Sequence, residues 1–188
     1  MNIDNAVKIV KQGGVIICPT DTVHGIACRI DNKNAVDRLF KIKQRSQTQA
    51  VPVLVDGIEM VKEYVEEIPD DVLELMKKYW PGGLTIVLPC KTDKVLESIR
   101  GGGSTIGVRQ PNSKILQELI QKVDVPITGT SANFHGKKTP TKQSELEPEL
   151  IKLVDLVIPG DSGMQQASTI LDCSVKPWKI LRQGAIVL

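Results

Sequence analysis

Apolar residues recur along this 188-residue chain in two rhythms. Ile3, Ala6, Val7 and Val10 follow the i, i+3, i+4, i+7 spacing of one helix face, and Gly13-Gly14 stops it. Val15 to Cys18 is an unbroken apolar run, the pattern of a buried strand. After cap-forming residues from Asp31 to Asn34, the helical rhythm returns in Ala35, Val36, Leu39, Phe40 and Lys43. Further helices are predicted near Gly57 to Val65, over Pro69 to Tyr79, over Lys91 to Arg100, and over Ser113 to Lys122. In the last of these, Ile115, Leu116, Leu119 and Ile120 should face inward. A helix broken at Pro148 is expected to run to Leu153. Strands are predicted at Ala50 to Val55, Leu84 to Leu88, Thr105 to Arg109, Val125 to Gly129, Leu156 to Ile158, Thr169 to Cys173 and Ile180 to Leu181. Another closing strand is expected in Ala185 to Leu188. Gly101 to Ser104 reads as a flexible turn and Phe134 to Lys142 as a surface loop. There is no repeat and no linker, and the elements alternate irregularly. This predicts one α/β domain over residues 1–188, with a mixed sheet flanked by helices.

The ends of these strands turn abruptly polar. Pro19-Thr20-Asp21-Thr22-Val23-His24-Gly25 follows the first strand; in α/β proteins such strand ends form ligand sites. Lys43 and Arg45 close a helix, Arg109 ends a strand, Ser131 and Asn133 follow one, Ser168 and Thr169 open one, and Arg182 ends another. Each alone reads as turn chemistry or solvated charge. Together, cations and hydroxyls at strand ends predict a concave site for an anion. Lys43 and Arg45 are expected to be exposed to that cleft.

Composition narrows the classes. With 41% hydrophobic residues the chain can bury one core, and with only 3% aromatics that core must be Ile, Val and Leu. A formal net charge of +2 argues against a protein that coats nucleic acid, though not against a local basic groove. Cys18, Cys28, Cys90 and Cys173 have no zinc-ligand spacing and suit buried free thiols, so no metal site is expected. No secretory leader is present, and no apolar run approaches about 18 residues, so a cytoplasmic protein without a membrane span is expected. Neither a G-x-x-x-x-G-K-[ST] loop nor a G-x-G-x-x-G turn occurs. A serine triad of Ser131 with His24 or His135 rests on residue type alone.

A run of ordered motifs adds a resemblance. Pro19 to Gly25 looks like P-T-[ED]-T-V-Y-G, and Lys43-Gln44-Arg45 like K-x-R. Trp80 to Thr85 looks like W-P-G-x-L-T, and Arg109-Gln110-Pro111 like R-x-P. Ser131-Ala132-Asn133 matches S-A-N, followed by Thr139-Pro140-Thr141. Ser168 to Asp172 looks like S-T-[VI]-x-D and Leu181 to Ile186 like L-R-x-G-x-I. Over nearly its whole length the chain resembles the YrdC-like threonylcarbamoyl-AMP synthases in their single-domain form.

The resemblance implies a twisted mixed sheet with a concave, positively charged ligand face. It implies a nucleotidyltransferase that condenses L-threonine, bicarbonate or CO2, and ATP into threonylcarbamoyl-adenylate and pyrophosphate, for modification of tRNA. Mg²⁺ would ride on the phosphates, and a tRNA threonylcarbamoyl transferase would take the product. Contact with tRNA or double-stranded RNA is a further implied partner. Lys43, Arg45, Ser131 and Asn133 would be catalytic. Thr22, Arg109, Ser131 and Ser168 would hold threonine. Arg45, Gln49, Thr105, Asn133, Thr141 and Arg182 would serve ATP. The chain departs from the family at His24, where Tyr is usual, at Ser46, where Pro is common, and at Leu54 and Val55, where some members have His. An RNA-binding paralogue without synthase activity is the alternative.

Overall fold

The computed structural model describes residues 3–164 and 166–188. In chain order the strands are β1 (Ile16–Cys18), β2 (Gly25–Ala27), β3 (Val53–Leu54), β4 (Leu84–Pro89), β5 (Thr105–Arg109), β6 (Ile127–Thr128), β7 (Thr130–Ser131), β8 (Leu156–Val157), β9 (Thr169–Asp172) and β10 (Lys179–Arg182). The helices are α1 (Ile3–Lys11), α2 (Lys33–Lys43), α3 (Ile58–Tyr64), α4 (Asp70–Tyr79), α5 (Glu97–Arg100), α6 (Lys114–Val123) and α7 (Pro148–Ile151). The periodicity explains them. α1 buries Ala6, Val7 and Val10 as its spacing requires, and α2 begins where the Asn32 side chain accepts from Ala35 N.

The strands form two mixed sheets, ordered β7-β2-β1-β8 and β10-β9-β4-β5-β3-β6. β1 pairs antiparallel with β2 and parallel with β8; β4 pairs antiparallel with β5 and parallel with β9. A single bridge, Arg29 to Ile127, joins one sheet to the other. The expected mixed sheet is thus divided in two, because β1, β2, β7 and β8 pair only with one another, and the chain passes between the sheets at Gly129, from β6 to β7. One continuous core runs through both, built from Ile16, Ile17, Ile26, Leu39, Ile86 and their neighbours. No helix among the described residues is long and apolar enough to cross a membrane.

Four local expectations are corrected. Lys91 to Arg100 is helical only over Glu97–Arg100, because Leu96 is extended (φ −54°, ψ 140°) while Val95 packs into the core. Ile115 is not inward but 43% exposed, at the margin of the α6 stripe. Ala185 to Leu188 is not a strand: Ala185 N and Ile186 N bond Ala167 O and Thr169 Oγ1 instead of a ladder. Lys43 is 2% exposed rather than open to a cleft.

Candidate functional site

Where the two sheets approach, their polar strand ends enclose a cavity of about 180 Å³. Six of the expected residues meet there: Thr22, Arg45, Arg109, Ser131, Ser168 and Arg182. They come from the turn after β1, the end of α2, the end of β5, β7, the start of β9 and the end of β10. Among the described residues, none lining the cavity carries a carboxylate.

Arg109 is the best anchored of the three guanidinium groups. Its Nε donates to Gly82 O at 2.9 Å, and one terminal nitrogen donates to Thr22 Oγ1 at 2.9 Å. The other forms an ion pair with Asp21 Oδ1. Both side chains are 7% exposed. The Trp80-Pro81-Gly82-Gly83 run thereby has a local reason: it turns a backbone carbonyl onto Arg109, with Trp80 Nε1 donating to Leu84 O at 2.7 Å. Burial lowers the Arg109 pKa, and the Asp21 charge opposes that shift.

Arg182 and Ser168 form the second unit. Arg182 donates to Ser168 O from Nε and a terminal nitrogen at 2.9 and 2.8 Å, and to Ser168 Oγ at 3.0 Å. Ser168 Oγ also shares a hydrogen bond with Thr85 Oγ1 at 2.8 Å. Burial lowers the Arg182 pKa, and the charges of Arg109 and Arg45 lower it further, as expected of cations crowded on one cavity.

Lys43 is interior and is not among the lining residues; it stands behind the lining residue Ser131. Its Nζ donates to Ser131 O, to Asn133 O at 2.9 Å and to Asn133 Oδ1 at 3.3 Å. Ser131 Oγ donates to the same Asn133 Oδ1 at 2.6 Å. Burial, and then the Arg45 charge, push the Lys43 amine down to about 7. Arg45 does reach the cavity: one terminal nitrogen donates to Ala50 O at 2.7 Å, while its Nε is buried without a partner.

Gln49, Thr105, Thr141 and Asn133 are not among the lining residues. Gln49 is exposed beside Ala50, which does line the cavity. Thr141 bonds the Glu145 carboxylate through N and Oγ1, at 2.8 and 3.1 Å, two residues beyond the lining residue Thr139. Thr105 pairs with Pro89 at the opposite end of β5 from Arg109. At about 3.4 Å per residue that separates them by most of the strand. Thr20, Thr130 and Thr139 line the cavity and Asp21 pairs with Arg109, and none of the four was among the expected site residues. Thr20, Asp21 and Thr139 already stand in the quoted motifs, which was the available signal.

His24 is fully buried and does not line the cavity. Its Nε2 bonds Gly160 O at 2.9 Å and its Nδ1 meets Ser162 Oγ at 3.1 Å. Because a carbonyl only accepts, Nε2 is the donor to Gly160 O. Ser131, bonded to Asn133, touches neither histidine ring, so no serine triad is assembled. The four cysteines are buried and free; burial pushes Cys18, in the cavity wall, up to about 12, so it meets a ligand as an apolar group.

Fold and site together define an α/β protein of two mixed sheets with a small cavity lined by three arginines and several hydroxyls. Residues 8–184 match the Sua5/YciO/YrdC family, described under the heading telomere recombination, and the chain belongs to this family. It is 31% identical over 185 residues to the threonylcarbamoyl-AMP synthase of Bacillus subtilis, covering 98% of this chain and 54% of that protein. A crystal structure of Pyrococcus abyssi Sua5 complexed with L-threonine superposes with a TM-score of 0.90 at 30% identity, over 97% of this chain and 54% of that one. The crystal structure of Escherichia coli YciO superposes with a TM-score of 0.86 at 30% identity, over 97% and 88% of the two chains. The chain therefore spans about half the length of the synthases it matches and most of YciO.

Proposed function

We propose that this chain carries the synthase chemistry: it condenses L-threonine, CO2 or bicarbonate, and ATP to threonylcarbamoyl-adenylate, releasing pyrophosphate. The observation that supports it most is three guanidinium groups around one small cavity, beside hydroxyls and without a paired nucleophile and base. The reaction needs just that. The threonine amine attacks CO2 and loses a proton, and the carbamate oxygen then attacks the α-phosphorus, expelling pyrophosphate. No covalent enzyme intermediate arises; orientation and charge neutralisation are the enzyme's tasks.

In this reading Arg109, Thr22, Ser131 and Ser168 hold threonine, while Arg45 and Arg182 face the phosphates. Lys43 and Asn133 act from behind by fixing Ser131. Gln49 and Thr141 would meet ATP from the loops flanking Ala50 and Thr139; Thr105 stands apart. Mg²⁺ would enter on the nucleotide, since no carboxylate lines the cavity among the described residues. The relative named threonylcarbamoyl-AMP synthase and the threonine-bound structure support the substrate choice. A cytoplasmic location, delivery to a tRNA threonylcarbamoyl transferase and contact with tRNA belong to the same proposal.

The test is pyrophosphate release with ATP, Mg²⁺ and bicarbonate, with and without L-threonine. Threonine-dependent release accompanied by an acid-labile adenylate is the expected result. The near full-length match to a protein named only uncharacterized YciO favours one second reading, an RNA-binding paralogue. Salt-sensitive binding of double-stranded RNA with no threonine-dependent release would establish that reading instead.

A further inference from the structure

The three cavity arginines differ in what neutralises them. Arg45 donates to the Thr130 hydroxyl and the Ala50 carbonyl, and Arg182 to the Ser168 carbonyl and hydroxyl. All of these partners are neutral. Arg109 alone has an acid, Asp21. Asp21 is not itself in the lining, so it acts on the cavity only through Arg109. Its second oxygen, Oδ2, is buried with no hydrogen-bond partner. A buried carboxylate with one idle oxygen costs folding free energy. Hydrogen bonding alone, which an amide could supply, does not account for it. What the carboxylate adds is charge.

We infer that Asp21 is a specificity-positioning residue, which neutralises Arg109 so that its end of the cavity accepts a zwitterionic amino acid and rejects one bearing an extra negative charge. Of the three guanidinium groups on the cavity, one is then neutralised and two keep their charge. At Arg109 the guanidinium and carboxylate cancel, and a ligand of zero net charge leaves that balance intact. An acidic side chain brought there would sit unpaired in a desolvated wall that includes Cys18, Leu54 and Ile170. Charge interactions in such a wall are strengthened by the low dielectric. At Arg45 and Arg182 no acid intervenes, and a polyanion is drawn there. The two substrates are thereby sorted by charge before any hydroxyl or methyl is read. Thr22 supports the arrangement, because its Oγ1 accepts from Arg109 and shares a hydrogen bond with Thr20 at 2.9 Å.

This inference rests on the threonine reading of the site. The experiment is calorimetric titration of L-threonine and of L-aspartate into the full chain. Mg²⁺ and α,β-methylene-ATP are present throughout, so that Arg45 and Arg182 are occupied. Wild type is expected to bind threonine at least tenfold more tightly than aspartate. Asp21→Asn keeps an acceptor for Arg109 and removes the charge, so the threonine-to-aspartate ratio should fall at least threefold. Asp21→Glu, which keeps the charge, should hold the ratio within threefold of wild type. A ratio unchanged in Asp21→Asn, or lost equally in Asp21→Glu, overturns the inference and leaves the threonine reading standing. Nucleotide binding without threonine binding in wild type overturns the threonine reading and the inference with it. Melting temperatures accompany each titration. If Asp21→Asn does not fold, Asp21→Ser removes the same charge and is judged by the same threefold criterion.

Discussion

Lys43 and Arg45 lie two residues apart at the end of α2, yet only Arg45 lines the cavity. The helix explains the difference. Lys43 is its last residue and its amine meets the Ser131 and Asn133 carbonyls, while Gln44 takes a left-handed turn (φ 52°) that redirects the chain. Lys43→Ala strands three acceptors, Ser131 O, Asn133 O and Asn133 Oδ1, and should lower stability by about 2–4 kcal/mol. Arg45→Ala should keep stability within about 1 kcal/mol and lower threonine-dependent pyrophosphate release by about 10²–10³-fold. Urea unfolding and initial rates on the two variants check this; equal stability losses in both would refute the division. The K-x-R spacing was visible in sequence. Which of the two cations lines the cavity was not, since a buried lysine shows itself only once its acceptors are placed.

At the scale of elements, the site depends on a clasp between the C-terminal segment and β9. Gly184 N and Ile186 N both donate to Thr169 Oγ1, at 3.0 and 3.1 Å, and Ala185 N donates to Ala167 O at 2.8 Å. This holds Ser168 against Arg182. A Cβ on Gly184 would lie 2.2 Å from Ala167 O and 2.5 Å from the Ser168 backbone. Gly184→Ala should therefore destabilise by about 1–3 kcal/mol, and should also weaken ATP use, because Ser168 and Arg182 separate. Wild-type KM for ATP in a well-folded Gly184→Ala variant would contradict this. A second tie runs through His24, which joins the turn after β1 to the segment around Gly160 and Ser162. At the point where the chain departs from the family's usual Tyr, it has a buried connector.

At the scale of the whole molecule, Lys43 couples the site to stability. Folding lowers its pKa from the ordinary 10.5 to about 7. Between those values the unfolded chain holds the extra proton, so unfolding free energy should rise with pH across that window. Below about pH 7 both states are protonated and the full penalty is present without a slope. Urea unfolding from pH 7 to pH 10 should show this rise in wild type and a smaller one in Lys43→Met. Parallel curves would contradict it. The polarity pattern alone determined α1, α2, α4 and α6, the strands β4, β5 and β9, and a set of polar element ends that includes the six cavity residues. Those features are local: periodicity, caps and turn residues act within one element. Tertiary structure alone decided that two sheets form, that β2 and β7 pair as strands of the smaller one, and that Asp21 pairs with Arg109. It also decided that Lys43 and His24 are interior and that Thr105 lies away from Arg109. Each of these depends on which distant segment supplies the partner. The two residues of the Asp21–Arg109 pair stand 88 apart in the chain, and only the packed sheets bring them together.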